Sequence, residues 1–263
     1  AFFANMFVLY GMALFLHINS EVLATFPTLI TPASWAQFLW PLVVLVEFAW
    51  VILQLLPKYR SEELVTVVGR NFIFASIAQM AWSLCFSHQI LSLAFLSIIT
   101  MLVFLFIIFR AQSNVECNLQ DYFFFKFPFT LLFGWMVIAC IVDINVLLVA
   151  MGISTSTQFY AAIVSLSAIL IVAGSVQDFT VLAVLAWAMI GIFVEIGNPG
   201  YYIQSIFPDT YVTSIHYVSL ISFLILVAFI AWQGYSAWRN ATKKPRVETT
   251  PVTTAEGDYV NMV

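Results

Sequence analysis

Phe127-Pro128-Phe129-Thr130-Leu131-Leu132-Phe133-Gly134-Trp135 opens an apolar run that continues through Ala139 to Asp143-Ile144-Asn145. The run is long enough to cross a bilayer, which takes about 20 apolar residues. Yet it carries a proline, a glycine, a tryptophan, an acid and an amide. Lipid exposure accounts for none of these, because an acidic side chain at the bilayer centre costs about 3 kcal/mol or more unless something solvates it. The stretch reads as the inner helix of a membrane bundle, its polar residues turned towards other helices or a cavity.

The rest of the composition agrees. Hydrophobic residues make up 63% of the 263 and charged residues 8%, with a mean hydropathy of +1.01. A soluble domain of this length needs far more charge to cover its surface. The net charge of −4 owes much to Glu248, Glu256 and Asp258 at the C-terminal end, and no basic excess points to nucleic acid. Cys85, Cys117 and Cys140 lack CxxC spacing and are expected to be inert thiols rather than a disulfide framework or a zinc site. Because the chain begins at Ala1 rather than Met, some residues or a leader are expected to precede it.

Segments of bilayer-spanning length predict an all-α, polytopic bundle of about eight crossings. They fall near 1–17, 35–56, 66–86, 88–109, 123–149, 159–175, 178–197 and 212–235. A polar tail is expected over 236–263. The basic residues test this arrangement. Lys58, Arg60, Arg70, Arg110, Lys126, Arg239, Lys243, Lys244 and Arg246 all fall in or beside connections on one face, and the loops of the other face hold no Lys or Arg. The positive-inside rule then puts both termini on the cytosolic or equivalent side.

His17, His88 and His216 cluster at the opposite face with Glu21, Glu195 and Asp209. Metal or pigment ligation by the three is one reading, but no HxxxH or comparable ligand spacing joins them, so water- and backbone-bonded interfacial residues are the expectation, and no metal site is assigned. Trp35, Trp232 and Trp238 suit interfacial anchoring. Trp82 and Trp135 lie deeper beside polar neighbours, where an indole N–H needs an acceptor, and are candidates for a cavity wall. Glu47 falls near mid-membrane with no Lys or Arg to pair with; a protonated or hydrogen-bonded carboxyl is expected there. Catalysis has weak support, since no GxSxG, HExxH or Walker pattern is present. A retinal Schiff base is excluded from the last three crossings, which hold no lysine.

Three groups of residues resemble the translocator protein/tryptophan-rich sensory protein family (TspO/MBR), particularly its larger members. They are Thr31-Pro32-Ala33-Ser34-Trp35-Ala36-Gln37-Phe38-Leu39-Trp40 before and into the second crossing, Gln79-Met80-Ala81-Trp82-Ser83 in the third, and Pro128…Trp135…Ala139…Asp143-Ile144-Asn145 in the fifth. A single Pro32 stands where the family usually has a proline pair, and Asp143 stands near an expected asparagine. The likeness covers about residues 1–150. It implies a five-helix core there, with 151–235 forming three additional helices. The resemblance also implies a ligand cavity involving Trp35, Phe38, Trp40, Gln79, Trp82, Trp135 and Asp143. Family ligands are porphyrins and other tetrapyrroles, sterols and aromatic drugs, so the implied role is sensory or translocating, with a porphyrin or other tetrapyrrole, a sterol or a lipid as the expected ligand. Porphyrin degradation has been proposed in the family, but no residue pattern here indicates it and no enzymatic step is expected.

Two other classes remain open from sequence. A structural subunit of a larger photosynthetic or respiratory membrane complex, or a homodimer, would fit the 26 Phe and scarce polar features. A proton-coupled secondary transporter would use Glu47 and Asp143, although neither an inverted repeat nor paired broken helices are evident.

Overall fold

The computed structural model describes residues 21–243, all helical apart from short connections. Seven long helices follow in order: α1 (Leu39–Leu53), α2 (Gly69–Ser87), α3 (Leu91–Ser113), α4 (Phe127–Ala150), α5 (Thr155–Ser175), α6 (Phe179–Gly197) and α7 (Asp209–Lys243). Among the described residues, six stretches are long and apolar enough to cross a membrane: Ser34–Leu53, Leu91–Ser113, Leu119–Ala150, Thr155–Ser175, Phe179–Gly197 and Asp209–Asn240. The remaining long helix, α2, is less apolar because Arg70, Asn71, Ser76, Gln79 and Ser83 lie along it. The last seven of the eight expected crossings each coincide with one long helix, and the first lies outside the described residues. This is a multi-pass integral membrane protein.

Two helices form the interior. Fifteen of the 24 residues of α4 are buried, from Pro128 through Val146, and α6 is buried along most of its length from Thr180 to Ile196. They pack directly. A Cβ on Gly134 would stand 3.1 Å from Val184 Cβ and 3.4 Å from Val181 Cα, so the glycine sets how closely the two backbones approach. The remaining helices surround this pair and turn Leu, Ile and Phe side chains outward, as lipid requires.

Pro128 is accommodated by a local widening. Its ring cannot donate to the carbonyl one turn back and would collide with it. The chain answers with a π-helical turn over Tyr122–Lys126 immediately before α4. That turn carries a polar lock to the start of α6. Tyr122 Oη is 2.6 Å from Thr180 Oγ1 and donates to Asp178 Oδ1 at 3.2 Å, while Asp178 Oδ1 accepts from the N–H groups of Thr180 and Val181 as the helix cap.

The same end of the bundle is tied by Gln112, whose Nε2 donates to the carbonyls of Leu64 and Phe125. Just above it, Trp50, Phe72 and Phe129 meet edge to face with centroids 4.9–5.3 Å apart, joining α1, α2 and α4. Each such pair contributes about 0.5–1.5 kcal/mol, which matters where lipid tails remove the usual hydrophobic drive.

The last helix runs beyond the apolar segment at 212–235. Its 35 residues extend into the stretch read as polar tail, and at 1.5 Å per residue it is about 52 Å long. Its final turns rise out of a hydrocarbon layer about 30 Å thick. Exposed Trp232, Tyr235 and Trp238 form a row where it emerges.

Candidate functional site

At the end of the bundle opposite the Tyr122 lock, the helices spread around a cavity of about 460 Å³. One stripe of α4 forms its back wall: Trp135, Ile138, Ala139, Val142 and Asp143 recur at the three- and four-residue spacing of a single helix face. Trp82 and Phe86 of α2 stand beside this stripe. The segment from Leu23 to Trp40 covers the front, and Glu195 and Ile196 of α6 with Pro199, Gly200, Tyr202 and Ile203 close the remaining side.

Asp143 is the cavity's one deeply buried charged side chain among the described residues, 6% exposed. Its Oδ2 accepts a hydrogen bond from the Trp82 indole N–H at 2.5 Å. The bond fixes both the ring and the carboxyl, and no partner for Oδ1 exists among the described residues. Thr28 and Thr31 share a hydrogen bond of 2.8 Å at the front. A wall of aromatic faces with a few placed polar groups is the ordinary make-up of a small-molecule site, and the volume lies within the usual range of about 300–1,000 Å³.

Of the residues implied by the family resemblance, Trp40, Trp82, Trp135 and Asp143 line this cavity together. Three do not. Phe38 points away and is 76% exposed. Trp35 packs edge-on against Trp187 at 4.8 Å. Gln79 is buried but outside the lining. The reason for the first two is the 3-10 turn at Ser34–Phe38. Residues three apart eclipse one another in such a turn, so Ser34 and Gln37 share the cavity face while Trp35 and Phe38 share another.

Glu47 is 2% exposed and lies on the inner face of α1 with Val43, Trp50 and Val51. It does not line the cavity. Its Oε1 and the Trp50 Nε1 have no hydrogen-bond partner among the described residues. His216 stacks on Phe193 at 4.2 Å and packs so closely on Gly197 that a Cβ there would meet its ring at 2.8 Å. His88 is exposed at the end of α2, and His17 lies outside the described residues. Among those residues no group of three His, Cys, Asp or Glu side chains is placed to hold a metal ion.

The contribution of α6 went unread in the sequence. Gly191 accepts the Ala33 N–H at its carbonyl, 3.1 Å away, and its missing Cβ makes room for Pro32 and Ala36. Trp187 Nε1 donates to the Ala36 carbonyl at 3.1 Å. Together they dock the front segment of the cavity onto a helix about 150 residues further along the chain. The local signal was a glycine and a tryptophan one turn apart, indistinguishable in isolation from ordinary helix packing.

Searches of curated proteins and of solved structures returned no match. A family model described as TSPO-like protein matches residues 1–232. The match runs through α5 and α6 and into α7, past residue 150 where the motif resemblance stops. With a match over that span and an all-helical membrane bundle beneath it, the chain belongs to the TSPO-like protein family.

Proposed function

We propose that the protein binds a flat hydrophobic small molecule, tetrapyrrole- or sterol-like, in the cavity framed by Trp40, Trp82 and Trp135, as a non-catalytic receptor or carrier. The observation that supports this most directly is the convergence of these three tryptophans and Asp143 on one cavity of about 460 Å³. Indole faces offer broad apolar contact at little conformational cost, and the Trp82–Asp143 bond holds the wall in place before any ligand arrives. The distribution of charge supports an orientation for the cavity. Every described Lys and Arg lies at the other end of the bundle, which by the positive-inside rule faces the cytosol, so the cavity opens towards the opposite side.

The test is tryptophan fluorescence of the purified protein titrated with porphine, the unsubstituted tetrapyrrole, and with a sterol as competitor. Saturable quenching at about one ligand per chain is expected, weakened roughly tenfold in Trp135→Ala, as loss of an aromatic wall worth about 1.4 kcal/mol would give. Linear, non-saturating quenching by porphine together with no effect of sterol would exclude the reading.

A further inference from the structure

The cavity has a charge that its aromatic walls conceal. Its lining holds two acids, Asp143 and Glu195, and no Lys, Arg or His among the described residues. Residues 1–20 likewise contain no Lys or Arg. Asp143 is 94% buried with one oxygen held by Trp82 and the other turned to no protein donor among the described residues. Glu195 stands at the end of α6 beside Pro199 and Gly200, on the exposed side of the same space.

Resting on the reading of this cavity as a ligand site, we infer that its ligand is a cation: a flat apolar body carrying a protonated amine that donates to Asp143, with Glu195 attracting it at the entrance. A charge-assisted N–H···O bond to a fixed carboxylate in a dry site is stronger than a neutral one. Asp143 and Trp135 lie eight residues apart on α4, about 12 Å along the helix axis. An amine at Asp143 therefore leaves the apolar body lying along the wall towards Trp135. The same arithmetic works against an anion. A carboxylate placed here would face two acids and no counter-charge, and like-charge juxtaposition away from water is strongly unfavourable. Dicarboxylate tetrapyrroles are therefore poor ligands for this member, and amine-bearing aromatic or steroidal amphiphiles are good ones.

Three probes of one shape decide it: 1-pyrenemethylamine, 1-pyrenemethanol and 1-pyrenecarboxylic acid. Binding to the full chain in nanodiscs is read by energy transfer from tryptophan to pyrene, with protein-free nanodiscs subtracting membrane partition. The amine is expected to bind at least about tenfold tighter than the alcohol, and the acid more weakly than either. In Asp143→Asn, which keeps an acceptor for the Trp82 N–H, the amine-to-alcohol ratio falls to about one; Glu195→Gln lowers the amine on-rate. Equal binding of amine and alcohol, or tighter binding of the acid, overturns the inference while leaving the cavity reading in place. Saturable binding by none of the three overturns both. Should Asp143→Asn fail to fold, the comparison of the three probes on the unaltered protein still decides.

Discussion

At the scale of single residues, the structure turns on pairs in which one side chain answers a demand made by another. The Trp82 N–H donates to the Asp143 carboxyl, and among the described residues that carboxyl has no other side-chain donor. Trp82→Phe is therefore expected to lower the unfolding temperature in detergent, at a cost of about 1–3 kcal/mol for the orphaned carboxyl, and Asp143→Asn to cost less because the acceptor survives. Gly134 and Val184 form a second pair. Gly134→Ala places a methyl 3.1 Å from Val184 Cβ and should destabilise by about 1–3 kcal/mol through overpacking. The double variant with Val184→Ala should recover part of the loss, a coupling visible in a double-mutant cycle of thermal unfolding.

At the scale of elements, the helices were legible and their partnerships were not. Apolar runs of bilayer length fix a membrane helix almost by themselves, because the backbone has no other way to satisfy its polar groups in lipid. Asp143 and Trp135 announced an inward face on α4 because neither is suited to lipid. Phe38 did not announce its outward face, since a phenylalanine is equally at home against lipid or ligand, and only the three-residue period of the Ser34–Phe38 turn decides between them. Trp187 and Gly191 were silent for the same reason. Their role depends on the Pro32–Ala36 segment lying across them, a pairing that no local periodicity encodes. Gly191→Val tests that pairing. The larger side chain meets Pro32 and Ala36 and should lift the front segment from α6, weakening porphine binding about tenfold, or about 1.4 kcal/mol, while circular dichroism shows unchanged helix content.

At the scale of the whole molecule, charge divides the bundle into two ends. Lys58, Arg60, Arg70, Arg110 and Lys126 gather at the end that carries the Tyr122 lock, together with the acids Glu62, Glu63, Glu116, Asp121 and Asp178, whereas the cavity end holds Glu21, Asp143, Glu195 and Asp209 and, among the described residues, no Lys or Arg. Under the positive-inside rule this distribution is expected to set the proposed orientation, and the acids at the cavity end suit the cationic ligand inferred above. Orientation can be read directly in a background with Cys85, Cys117 and Cys140 replaced. A cysteine at Tyr201, 80% exposed beside the cavity, should react with an impermeant maleimide from the non-cytosolic side in intact cells. One at Glu62 should react only after permeabilisation; the reverse pattern would invert the assigned orientation.

The docking of Pro32–Ala36 onto α6 also sets an order in time. Trp40, Trp82, Trp135 and Asp143 have all left the ribosome once α4 is made, yet the two hydrogen bonds that seat the front wall come from Trp187 and Gly191. During synthesis the early helices must therefore wait in the membrane with their acid and indole groups only partly enclosed. A nascent chain halted after Ser175 should be open where the finished protein is closed, and more exposed to proteases and chaperones, until the sixth of the seven described long helices slides into place.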